Sequence, residues 1–181
     1  MSQTCVHIRP YIKDKKGGLS LEIEELVVAY GSAITKYCYN LLWDYHEAHD
    51  VTQDVFIKAN EKLKDLREQA ATKTWLYRIA HNICIDILRR QRLSRLFALK
   101  NATEDSYEDH YDLGISDELQ AALGTLTPQD RGLVYSRAVA GMSYAELEQV
   151  YGKKAANLRK RYERAKSNLA KLLSKGEQNH E

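Results

Sequence analysis

The chain has 181 residues, of which 44% are hydrophobic and 29% charged, with 2 prolines and 9 glycines; this fits one ordinary domain or two small folded ones rich in helix. No apolar run approaches a membrane span and the N-terminus has no signal-peptide core, so a cytoplasmic protein with no direct membrane insertion is expected. The formal net charge of +2 conceals an uneven distribution: residues 101–120 hold seven acids and no Lys or Arg, whereas residues 153–175 hold nine bases and one acid, Glu163. That basic end suits a polyanion.

Residues 1–20 show little periodicity, and Lys13-Asp14-Lys15-Lys16-Gly17-Gly18 reads as a flexible extension. Ser20 can cap a first helix with Glu22 and Glu24 in its opening turn. Leu26, Tyr30, Ala33, Ile34, Tyr37, Cys38, Leu41 and Leu42 recur at helical spacing. After a polar break over Asp44–Glu47, a second helix is predicted from about Ala48 to Leu63, with Val51, Val55, Ala59 and Ile57 inward. A third runs from near Thr74 to about Leu93, with Trp75, Leu76, Ile79, Ala80, Ile83 and Ile87 as its apolar stripe. The acidic stretch that follows lacks an apolar face and reads as a linker. No β alternation of useful length occurs, so the fold class is all-α, with two small helical domains. The boundaries are 21–95 and 117–175, joined by a linker over 96–116, with a tail at 176–181.

In the second domain Leu119, Ala122 and Leu123 suggest a short helix. Thr127-Pro128 supplies a hydroxyl cap and a proline at the first position of the next. That helix, to about Val139, places Leu133, Val134 and Ala138 inward and ends at Ala140-Gly141. Ser143 and Glu146 have the spacing of a capping box, Leu147 and Val150 face inward, and Tyr151-Gly152 makes a turn that glycine tolerates. The last helix puts Ala155, Leu158, Tyr162, Ala165, Leu169 and Leu172 on one stripe, with Arg159, Lys160, Glu163 and Arg164 off it. A short helix, a glycine turn and a basic helix make a helix-turn-helix, whose second helix enters the major groove. The competing reading is a helical hairpin with a solvated basic face.

In the first domain Asp50, Gln53 and Asp54 share a helix face. That face suits a basic protein partner or is simply solvated. Arg78, His81, Asn82, Ile85 and Arg89 lie opposite the third helix's apolar stripe, where Arg can grip phosphate and Asn can read a base edge. Leu66–Thr72 is a loop long enough to line a pocket for an extruded base; a plain connecting loop beside a solvated face is the alternative. Cys5, Cys38 and Cys84 form no CxxC pair and read as reduced thiols. His46-Glu47-Ala48-His49 is one residue short of a zinc-protease HExxH, so its two His fall at i, i+3. No metal, cofactor or catalytic residue is expected.

Taken together, several segments resemble bacterial sigma factors of the extracytoplasmic-function (ECF) group. Leu41-Leu42-Trp43-Asp44 and Ala48–Phe56 resemble "LLGD…AEDVxQDVF". Trp75–Asn82 is similar to "WLYRIARN", and Asp86–Arg90 to "DxLRR". Leu126–Arg131 resembles "LPPxxR", Gly141–Leu147 "GLSYxEI", and Leu158–Lys166 "VKSRLxRAR". The segments follow the family's order and spacing over about 24–92 and 117–173. Trp43 stands for the usual Gly, His49 for Glu, Lys153-Lys154 for "IS" and Glu148 for Ala.

The resemblance implies roles. Asp50, Gln53 and Asp54 would dock on the β′ clamp helices of core RNA polymerase, whose β flap would meet the second domain. Leu66 and Arg67, with Lys58 nearby, would capture a flipped base of the −10 element, and Arg78, His81, Asn82 and Arg89 would contact −10 DNA. Arg159, Lys160, Glu163 and Arg164 would read the −35 element of promoter DNA. The linker would thread through the polymerase, and an anti-sigma factor would be a further partner. The alternative is a stand-alone helix-turn-helix regulator, which leaves the Asp50 face without a purpose.

Overall fold

The computed structural model describes residues 12–13, 19–20, 23–63, 72–98 and 115–177, with side chains for 23–63, 72–94 and 115–174. Two short strands, β1 (Ile12–Lys13) and β2 (Leu19–Ser20), pair antiparallel with Ile12 opposite Ser20. The rest of residues 1–22 lies outside the described ones. Ser20 lies in β2 and does not cap the first helix.

Helix α1 (Ile23–Leu42) carries Glu24 and Glu25 in its first turn and buries Leu26, Ile34, Tyr37, Cys38 and Leu41, the spacing of one helical face. It ends on Trp43, whose φ of 60° is left-handed and whose N–H donates to Tyr39 O at 2.8 Å. This is the cap that glycine normally supplies; a residue with a Cβ is disfavoured there by about 1–2 kcal/mol.

Asp44 accepts from Glu47 N–H at 2.8 Å and caps α2 (Tyr45–Lys62), so the polar break predicted at 44–47 is the helix start. Val51, Val55 and Ala59 are buried as expected, but Ile57 is 59% exposed. It lies two residues, about 200° of helical rotation, from both Val55 and Ala59.

Helix α3 (Thr72–Ala98) is longer than predicted at both ends. The expected linker therefore begins inside a helix, and its residues 99–114 lie outside the described ones. Leu76, Ala80 and Ile83 of the predicted stripe are buried, with Trp75, Ile79 and Ile87 partly so. Cys38 and Cys84 are buried free thiols.

Helix α4 (Asp117–Gly124) is capped by Ser116, and α5 (Pro128–Val134) by Thr127 with Pro128 in the first turn. A π-helical turn follows over Tyr135–Val139. Its i→i+5 spacing changes which residues point inward: Tyr135 and Ser136 are buried, while Ala138, expected inside, is exposed. Helix α6 (Tyr144–Tyr151) begins with both halves of the predicted capping box and ends on Gly152 at φ 61°, and α7 (Ala155–Glu177) completes the chain. Among the described residues no helix is long and apolar enough to cross a membrane.

The core does not divide at the linker. Leu133, Tyr135, Met142, Leu147, Val150 and Leu158 belong to the same buried cluster as Leu26, Tyr37, Leu41, Val55 and Leu76. Fully buried side chains such as Leu133 and Leu147 each stabilise by about 1.5–3 kcal/mol, so the contact of α1 with α5 and of α3 with α6 has the character of a core. A second cluster joins Ala122, Leu123 and Leu126 to Ala165 and Leu169, with Trp43 packed against it.

Candidate nucleic-acid interface

The helix-turn-helix of α6 and α7 is built as its sequence predicts, with one substitution in the hardware. Lys153 and Lys154 supply no side-chain oxygen to cap α7. Instead Glu148 Oε2 accepts from Ala155 N–H at 3.1 Å, and Lys154 O accepts from Asn157 and Leu158 N–H. A carboxylate at a helix N-terminus is favoured by the helix dipole. Glu148, itself a departure from the pattern the sequence resembles, thus supplies the cap that Lys153 and Lys154 do not.

Arg159, Lys160, Glu163 and Arg164 are all exposed, while Leu158, Ala165 and Leu169 of the apolar stripe are buried. Leu172, assigned to the same stripe, is 41% exposed. The guanidinium of Arg159 lies 4.9 Å from the centre of the Tyr144 ring, which orients it at the start of the helix. Arg161 takes a different part: it pairs with Asp130 on α5 and ties the two helices together. Burial opposes the Asp130 carboxylate, but the bonds from Arg161 and Thr127 hold its pKa below the usual value.

On α2, Asp50, Gln53, Asp54 and Lys58 are exposed, and Gln53 Nε2 lies 3.2 Å from His49 Nδ1. His46 and His49 belong to no metal-ligating group among the described residues. Leu66 and Arg67 lie outside the described residues.

On α3, Arg78, Asn82 and Arg89 are exposed, Ile85 is partly covered and Arg89 pairs with Asp86 at 2.9 Å. His81 departs from the expected open face, being only 9% exposed. Its Nδ1 lies 3.0 Å from Tyr37 Oη, and its ring centre 4.4 Å from that of Tyr151. Tyr37 donates to Tyr151 at 3.3 Å, Tyr151 lies 3.1 Å from Ser136 Oγ, and Ser136 donates to Gly132 O at 2.8 Å. The order that satisfies every group starts at His81 Nδ1–H and ends at that carbonyl. The α3 period alone could not reveal this burial, because helix α6 supplies the cover.

Arg78, His81 and Asn82 form one wall of a cavity of about 610 Å³, and Gln149, Tyr151, Gly152, Lys153 and Arg161 form another. Residues expected at the −10 element thus share a cavity with the α6–α7 turn and Arg161 of the second half.

Burial, reinforced by Lys153 and Arg161, lowers the His81 pKa to about 4. The unfolded chain, at the ordinary value near 6.5, binds a proton that the folded chain refuses. Stability linked to His81 is therefore complete above about pH 6.5 and is lost as pH falls toward 4, by roughly 3 kcal/mol at most. Denaturation at pH 7 and pH 4.5 should show this fall in the wild type and a shallower one in His81→Gln. Equal losses in both proteins would exclude His81 as the source.

Comparison with known proteins places both halves. The family model for Sigma-70 region 2 matches residues 26–94, and that for Sigma-70, region 4 matches 116–169. The ECF RNA polymerase sigma factor SigE of Mycolicibacterium smegmatis is 30% identical over 159 residues, covering 84% of this chain and 62% of SigE's own length. The RNA polymerase sigma factor YlaC of Bacillus subtilis is 28% identical over 84% of this chain and 92% of YlaC. In fold, the chain is similar to the sigma factor RpoE of Bartonella quintana, solved in complex with the anti-sigma factor NepR. That match has a TM-score of 0.72 and 21% identity over 83% of this chain and 96% of that one. With both regions present in order, each on the helices that its sequence predicts, the chain belongs to the ECF sigma factors of bacterial RNA polymerase.

Proposed function

We propose that this protein binds core RNA polymerase in the cytoplasm and directs it to a small set of promoters. The observation that carries this reading is the pairing, in one chain, of an exposed acidic face on α2 with an exposed basic face on α7. A stand-alone DNA-binding regulator needs only the second. In the proposal, residues 21–95 dock through Asp50, Gln53 and Asp54 on the β′ clamp helices. Lys58, Leu66, Arg67, Arg78, His81, Asn82 and Arg89 engage the −10 element. Residues 117–175 meet the β flap and read the −35 element with Arg159, Lys160, Glu163 and Arg164, while 96–116 passes through the polymerase. Extruding a −10 base costs a few kcal/mol, which stacking and a fitted pocket must offset. Backbone contacts by Arg and Lys make the affinity salt-dependent. The chemistry of RNA synthesis stays with the polymerase. The complex of RpoE with NepR supports an anti-sigma factor as a further partner here.

Run-off transcription with core polymerase on a promoter library tests the proposal; no promoter-specific product, with no association with core in a pull-down, would sink it. Asp54→Lys reverses a charge on an exposed position of α2 and is expected to weaken core binding about tenfold or more, since like charges facing across an interface cost several kcal/mol. Unchanged affinity would remove α2 from the docking face.

A further inference from the structure

We propose that Trp43 and Arg131 form a latch that holds this chain in a closed, self-inhibited form. The proposal rests on the sigma-factor reading above, and three observations carry it.

First, the closed form is incompatible with reading two promoter elements. Elements centred about 25 base pairs apart lie roughly 85 Å apart along a duplex at 3.4 Å per pair. Here Arg78 and Asn82, on the −10 side, face Lys153 across a single cavity, and His81 is buried under Tyr151. The α6–α7 turn stands over the face of α3 proposed to meet DNA.

Second, the contact is knit like a core. Besides the shared apolar cluster, Tyr135 Oη donates to Ala33 O at 3.3 Å and Lys73 donates to Ala140 O. The guanidinium of Arg131 donates to Asn40 O at 2.8 Å and Leu41 O at 3.4 Å. Those carbonyls close the C-terminus of α1, the negative end of its dipole. A cation from one half thus caps a helix of the other.

Third, Trp43 is held in a backbone conformation that its side chain opposes, at φ 60°. Most of what it gains lies in the other half of the molecule. Its ring covers the Arg131 guanidinium at 4.4 Å, stacks on Tyr39 with centroids 5.6 Å apart and packs against the cluster of Ala122, Leu126 and Ala165. Glycine would relax the corner between α1 and α2 and remove the latch at once. Trp43→Gly is therefore expected to open the molecule without damaging α1–α3.

A second variant opens it from the opposite side. A Cβ added at Gly132 on α5 would stand 3.1 Å from Leu41 Cγ and Cδ2 and 3.3 Å from Tyr151 Oη. Gly132→Ala improves the helix propensity of α5 but requires Leu41 and Tyr151 to give by a few tenths of an ångström, which weakens the closed contact without removing the latch.

The test uses the full chain with fluorescent labels on Glu61→Cys and Lys171→Cys, both exposed, and Cys5 replaced by Ser; Cys38 and Cys84 are buried. In Trp43→Gly the distance between labels is expected to widen by about 10 Å or more, a helix diameter, and in Gly132→Ala the fraction of molecules at the wider distance is expected to exceed that of the wild type. Affinity for core polymerase should rise about fivefold or more. Circular dichroism verifies that each variant is folded. No widening in either folded variant overturns the latch. Widening with core affinity equal to that of the wild type overturns the inhibition and leaves the sigma reading intact. Widening with no core binding by any form sinks the sigma reading, and the inhibition with it.

Discussion

Replacing Arg131 with Met is expected to destabilise the protein by about 1–3 kcal/mol, the range for buried acceptors left without a donor. Arg131 is 7% exposed, and burial lowers its pKa to about 10, so it is a cation at neutral pH. It is held by carbonyl dipoles: Asn40 O, Leu126 O at 2.9 Å and Leu41 O. Methionine fills much of the volume but donates nothing. Three buried acceptors then lose their donor, at about 1–3 kcal/mol for each that stays dry. Relief of the guanidinium's own desolvation works the other way and is substantial, since burial is the main cause of its lowered pKa, so the net loss stays well below the sum of the three acceptors. Equilibrium denaturation by urea reads the difference directly. A loss below about 1 kcal/mol would mean that desolvation cancels the three bonds, and that the apolar cluster alone joins the halves.

The second large effect is functional. Arg164→Ala is expected to lower transcription from a cognate promoter by about 10- to 100-fold, since a bidentate contact from Arg to a guanine edge discriminates by about 1–3 kcal/mol. The side chain is exposed, and its Nε donates only weakly, to Lys160 O at 3.4 Å, so the fold should not notice its loss. Affinity for core polymerase should be unchanged. A fall in core affinity would move Arg164 from the DNA surface to the polymerase surface. Normal transcription would show that the helix is presented by a different face.

Read together, these substitutions separate two kinds of arginine that look alike in sequence. Arg131 and Arg164 both sit in helices of the second half, and both fall within segments that resemble the same family. One is a buried structural cation and the other an exposed side chain proposed to read DNA. Arg161 is a third case: it lies one residue from Lys160, yet it is spent on Asp130. Helical rotation of about 100° per residue makes that division inevitable, but only the position of α5 says which bases are consumed.

Local chemistry was legible without coordinates. The Thr127-Pro128 start, the Ser143 and Glu146 box and the Gly152 turn are decided by hydrogen-bonding groups within a few residues of one another. The exposure of Asp50, Asp54, Arg159 and Arg164 follows from which positions share a face with the apolar stripe. Errors arose where geometry departs from the regular period. The π turn at Tyr135–Val139 exposed Ala138, and α3 extends to Ala98, past the end predicted near Leu93.

The tertiary structure alone decided what lies against what across the linker. Nothing in the α3 pattern announces that His81 is buried, because its cover, Tyr151, comes from 70 positions away. Nothing around Trp43 announces Arg131, and nothing at Lys153-Lys154 announces that Glu148 will cap the next helix. Sequence periodicity reports which face of a helix is apolar. Which other helix covers that face, and whether a polar face is covered as well, depends on packing between segments whose separation along the chain leaves no local trace.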